Sequence, residues 1–189
     1  MPRPHIPDLA AIEALPNQQI RFYAIVGAVI SLTAGLEMAL LDVFVKGLNI
    51  RRDTASVLLF KAKNSSLQRD MATAAMTDRL GSGPLVPAWD RLCQRIITAT
   101  GQSGPRHLLA HNVVSTRTFG GSGMLGFGVL GEGPLGDPGE ERFLVFQDHQ
   151  KVLAGIHKAR EADFDSLLAF CRELITLLTD LDDFLLQIP

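Results

Sequence analysis

The residue types best suited to chemistry lie together in Arg106-His107-Leu108-Leu109-Ala110-His111-Asn112. An arginine presents a planar fork of donors that matches a phosphate. A histidine exchanges protons near neutral pH. Together, Arg106 and His111 hold the minimum parts for phosphodiester transfer without a metal. Gly104 and Pro105 precede the stretch, and proline suits the first position of a helix, so a helix is expected to open near Pro105. Five residues along a helix turn the chain by about 500°, so the Cβ directions of Arg106 and His111 diverge by about 140°. The long arm of arginine closes part of that gap and lets both side chains reach one bound group. The plainer alternative is an arginine at a helix start paired with an acidic residue, beside a packed histidine.

Two other chemistries compete for these residues and their neighbours. His107 and His111 are four apart, on one helix face, which is a zinc-pair spacing. The protease form of that pair needs a glutamate where Leu108 stands, and a third ligand would have to come from His149, His157 or a carboxylate. Farther on, Gly121, Gly123 and Gly126 spell G-x-G-x-x-G, as do Gly126, Gly128 and Gly131. A dinucleotide site needs that pattern between a strand and a helix; here an expected helix precedes it and no clear helix follows directly. Neither a metal nor a cofactor is expected.

The elements that must position the stretch read as mainly helical. The 189 residues are 47% hydrophobic and 20% charged, enough for one compact domain with a core. Residues 1–16, with prolines at 2, 4, 7 and 16, form a loose lead. Helices are expected over about 17–47, 53–79, 86–100, from 105 to about 117–119, and 163–187. The second should be capped by Asp53 or Thr54 and the third should open at Pro87. The third presents Trp89, Leu92, Cys93, Ile96 and Ile97 as one buried face, by their spacing of three and four. Residues 120–139 hold nine glycines and two prolines, costly to order, and are expected to form a mobile or irregular loop. Phe143 to Phe146, a polar break, then Val152 and Leu153 suggest a small β-hairpin within 142–154. The expected fold is all-α in the main: a single-domain antiparallel bundle of about five helices with a β-hairpin insertion.

Charge is unevenly divided. Residues 1–45 carry net −2, residues 46–117 net +7 and residues 118–189 net −7. A basic middle is what a polyanion site needs; alternatively, its charges pair with the acidic final third. Cys93 and Cys171 sit beside apolar residues in helical patterns and read as buried, reduced thiols. The first sixteen residues lack the apolar core of a secretory signal. Tyr23 to Leu36 is nearly all apolar but shorter than the ~20 residues a bilayer requires. A core helix, no membrane partner and a cytoplasmic location are expected.

The pattern Arg106-His107-x-x-x-His111, in a setting of long helices before it and one after, resembles the R-x4-6-H motif of HEPN domains (higher eukaryotes and prokaryotes nucleotide-binding). The likeness covers roughly residues 18–187 as an architecture and six residues as a motif. It implies a helical bundle that pairs into a homodimer with both motifs facing one cleft, and metal-independent endoribonuclease activity on RNA, as in a toxin or defence effector. Arg106 would hold the scissile phosphate and His111 would transfer the proton. His107 would fill the family's polar position. Asn112 departs from the glycine found after the histidine in some members. Glu37, a polar residue in an apolar stretch of the first helix, would either orient Arg106 across the bundle or face solvent. An antitoxin or other regulatory protein is a further implied partner. A non-catalytic member, binding RNA, nucleotide or protein, is the principal alternative.

Overall fold

A computed structural model describes residues 6–62, 64–101, 113–119, 140–146, 160–161 and 164–189. The fold is mainly helical. The chain forms two compact units: Met1–Ala110 with Phe164–Pro189, and His111–Asp163.

The first unit is built from α1 (Leu9–Glu13), α2 (Gln18–Leu48), α3 (Arg52–Lys61), α4 (Ser65–Leu80), α5 (Val86–Thr100) and α6 (Phe164–Leu186). The long helix α2 is its axis, packed against α4 and α6 and more lightly against α3. The Asn17 side chain caps its start by accepting from the Ile20 amide at 3.0 Å. Asn49, left-handed at φ 53°, ends it; asparagine tolerates that conformation better than most residues. Phe22, Ile25, Leu32, Leu36, Leu40, Val43 and their neighbours place α2 in the core. By length and composition α2 can cross a membrane, and half of its most apolar window is buried in the protein. It thus exceeds the shorter run read from Tyr23 to Leu36.

Helix α5 spans the range its sequence predicts. Its buried residues are Trp89, Leu92, Ile96 and Ala99, whereas Cys93 is half-buried and Ile97 is exposed. The face is therefore rotated slightly from the expected stripe. Trp89 stacks on Phe184 of α6 at 5.3 Å between ring centroids and donates its indole N–H to Thr77 Oγ1 at 3.0 Å. The otherwise costly buried donor is thereby satisfied.

Three expectations are corrected in this unit. The lead contains a short helix, α1, because Asp8 accepts from the Ala11 amide and caps it. The helix read across 53–79 is two helices. Ala62 leaves helical geometry, and Asn64 caps a new start by accepting from the Ser66 amide at 2.8 Å. Across the break Leu58 and Leu67 are exposed, while Ala72 and Met76 are buried. The cap of α3 is Arg51, with Asp53 in its first turn, not Asp53 or Thr54.

The second unit carries an antiparallel sheet in the order β1-β2-β3: β1 is Val113–Phe119, β2 Glu140–Phe146 and β3 Arg160–Glu161. Its register runs from Val113 opposite Phe146 to Phe119 opposite Glu140, and Leu144 faces Glu161. A helix reaching 117–119 is thus excluded over Val113–Phe119. That segment, Val-Val-Ser-Thr-Arg-Thr-Phe, is rich in β-branched residues that favour strands. The apolar run Phe143–Phe146 is a strand as expected; Val152 and Leu153, the second half of the expected hairpin, lie outside the described residues, as does the glycine-rich stretch 120–139.

Candidate functional site

The motif residues Arg106, His107, His111 and Asn112 lie outside the described residues, as do all the chain's histidines. Glu37 is described: it sits in the middle of α2, half-buried, between the buried residues Leu36 and Leu40. The structure therefore places the supporting carboxylate without showing the group it was expected to orient. Among the described residues no cluster of three histidine, cysteine or acidic side chains converges as a metal site would require.

A charged cluster joins α5 and α6. Arg95 donates from Nε to Glu173 Oε1 at 2.8 Å and from Nη1 to Asp180 Oδ2 at 2.5 Å. Glu173 and Asp180 are seven apart on α6, two helical turns, so both carboxylates come from one face. The hydrogen bond to Asp180, followed by that to Glu173, raises the Arg95 pKa above its ordinary value despite partial burial. A groove of about 360 Å³ runs beside this cluster, lined by Arg91, Arg95, Asp180, Asp183 and Phe184 among others. An arginine held between two carboxylates has its charge neutralised and its fork occupied. It would have to give up both partners to take a phosphate.

Other cations of the basic middle are also engaged within the fold. Arg52 pairs with Asp42 of α2, and Arg69 with Asp70 at 2.7 Å. Lys46 donates to the Ile188 carbonyl at 2.9 Å, and Arg79 to that of Pro189 at 2.8 Å. A second hollow, of about 300 Å³, lies beside Arg79 between the α4–α5 turn and the last residues. Lys46, Arg79 and Arg95 thus tie the basic middle to the final segment. Of these, Arg95 meets carboxylates of the final segment, the kind of pairing that the plainer reading of the uneven charge distribution expected. What that reading did not carry was the choice of Arg95 as the centre.

The thiols are unsuited to nucleophilic work. Burial, then the nearby Asp90 carboxylate, pushes Cys93 up to about 11, and burial alone pushes Cys171 up to about 11. Both stay protonated near neutral pH, where a thiolate would be needed for reactivity. No family model, curated protein or solved structure matches the chain.

Proposed function

We propose that this protein is a HEPN-type, metal-independent endoribonuclease that works as a homodimer. The observation that carries the reading is the sequence Arg106-His107-x-x-x-His111. The mainly helical first unit, with long helices α2 and α6 packed together, supports it as a compatible scaffold. In this reading the helices form the family's antiparallel bundle, and the stretch 113–161 is an insert carrying the strands. Arg106 neutralises the charge developing on the phosphate. His111 assists the 2′-hydroxyl as it attacks the adjacent phosphorus. The bond to the 5′-oxygen breaks, leaving a 2′,3′-cyclic phosphate and, after protonation, a 5′-hydroxyl. His107 fills the family's polar position and orients the site, Asn112 stands where some members have glycine, and Glu37 orients Arg106. The protein acts in the cytoplasm as a toxin or defence effector held in check by an antitoxin or other regulatory protein.

A second reading is a non-catalytic module of the same architecture that binds RNA, nucleotide or another protein. The internal pairing of Arg52, Arg69 and Arg95 favours its protein-binding form, because those cations are committed within the fold.

The deciding experiment is RNA cleavage in EDTA by wild type, Arg106→Ala and His111→Ala, each shown to be folded. The expected outcome is cleavage with cyclic-phosphate ends by wild type and a loss of about 100-fold or more in both variants. Equal cleavage by all three would remove this stretch as the site. RNA binding without cleavage by folded wild type would favour the binding module, and absence of binding would favour a protein-interaction role.

A further inference from the structure

Helix α2 is buried on the flanks that meet α4 and α6, but one line along it is bare. Ile20, Tyr23 and Ile30 are 57%, 46% and 53% exposed. Gly27 and Ala34 lie exposed on the same line, and Met38 continues it half-buried. The steps from Ile20 to Ala34 are three, four, three and four. That alternation is the a/d spacing of a helix that packs lengthwise against another helix. Ile20 to Met38 runs about 27 Å at the helical rise, and none of the six residues is charged.

Gly27 supplies an independent argument. A glycine inside a helix costs roughly 0.5–1 kcal/mol relative to alanine, so its place needs a reason. A Cβ added at Gly27 would meet nothing within 4 Å, so none of the described residues supplies one. Close approach of another backbone does. Gly47 shows the contrast within the same helix: there a Cβ would come to 2.8 Å from the backbone of Ala75 and Met76, and the reason is α4.

We infer that this face of α2 is the seam on which a second copy of the chain docks, α2 against α2 about a two-fold axis. The inference deepens the homodimer in the functional reading above by naming its surface; its observations do not depend on RNA cleavage. A symmetric contact uses the same patch twice, and a self-complementary a/d line with a small residue near its middle fits that need. Three large side chains and their small neighbours, counted on both copies, bury on the order of 1,000 Å², the lower bound for a specific interface. The pairing is therefore reversible and sensitive to concentration. A lipid surface is the poorer occupant. It requires no a/d alternation.

The test is sedimentation of the full chain across a micromolar concentration series, with thermal unfolding followed by circular dichroism. Wild type should approach twice the 20.5 kDa chain mass as concentration rises. Ile30→Glu should remain a monomer with unchanged unfolding. Gly27→Leu should fold at least as well as wild type, yet associate about tenfold more weakly or worse. Phe60→Ser, at an exposed apolar residue of α3, should dimerise like wild type. A wild-type monomer at every concentration overturns the seam and the dimer together. A dimer that survives both α2 substitutions, or is lost in Phe60→Ser, overturns the seam alone. A monomer that binds neutral phospholipid vesicles and loses that binding in Ile30→Glu would make lipid the occupant and sink the proposal. RNA cleavage by the same samples reports on the chemistry separately.

Discussion

Helices α2 and α6 are the two longest of the protein and pack against each other, yet they are finished differently. Helix α6 has a clean division. Leu167, Leu168, Cys171, Leu174, Leu177, Leu181 and Phe184 are buried, while Asp165, Arg172, Glu173 and Asp183 lie on its outer side. Helix α2 buries two flanks, yet its outward line carries isoleucine, tyrosine and glycine. A helix that meets only water on its free side needs polar residues there. Solvent completes α6, whereas the bare line of α2 is the surface proposed above to meet a second copy.

The comparison can be tested by perturbing each surface in turn. The largest effect is expected on the inner face of α6. Leu177→Ala removes a fully buried side chain and should cost about 2–5 kcal/mol in denaturant unfolding. A loss below 1 kcal/mol would mean that α6 is not the core element described. Next comes the inner flank of α2. Gly47→Ala forces a methyl against the α4 backbone and should cost about 1–3 kcal/mol; a gain in stability would disprove that close approach.

The thiols give a pH-dependent effect of intermediate size. Their ordinary value is 9.0, and both are raised to about 11 in the fold. Below pH 9 both folded and unfolded chains keep these protons. Between pH 9 and 11 the unfolded chain loses them first, so stability falls as pH rises. The double variant Cys93→Ala, Cys171→Ala should show a shallower alkaline decline than wild type, and parallel curves would rule out the thiols as its source. The smallest effect is expected at the outer edge of α6. Arg95 is about one-third exposed with its carboxylate partners more so, so Arg95→Ala should cost under about 1 kcal/mol. The difference should shrink in high salt. A loss of several kcal/mol would show that the cluster is a structural pin.

What the sequence made legible was local. Helix α5 could be bounded because Pro87 and the Trp89–Leu92–Ile96 spacing act within a few turns. Helices α2 and α6 followed for the same reason. The break between α3 and α4 was hidden because apolar residues resume at Leu67 and Met71, close after Leu59 and Ala62, while the deciding event is one side-chain cap at Asn64. Strand β1 was misread because its partner is β2, more than twenty residues on, and register is set by that remote pairing. Arg95 was legible as a charge but not as a centre, since Glu173 and Asp180 reach it only once α6 is docked. Of the candidate site, the sequence supplied the motif from Arg106 to His111, and the structure places Glu37 alone.

The first unit is assembled from two stretches of chain, and its order of synthesis has a consequence. Helix α2 ends at Leu48, but its neighbour α6 begins at Phe164. At about 5–20 residues per second, the ribosome needs roughly 5–25 s to make the residues in between. During that time the flank of α2 that α6 will cover has no native partner, beside an outward line that is apolar as well. The nascent chain therefore presents an apolar helix to the cell well before it can close, and its yield in vivo should depend on how quickly a chaperone shields that helix.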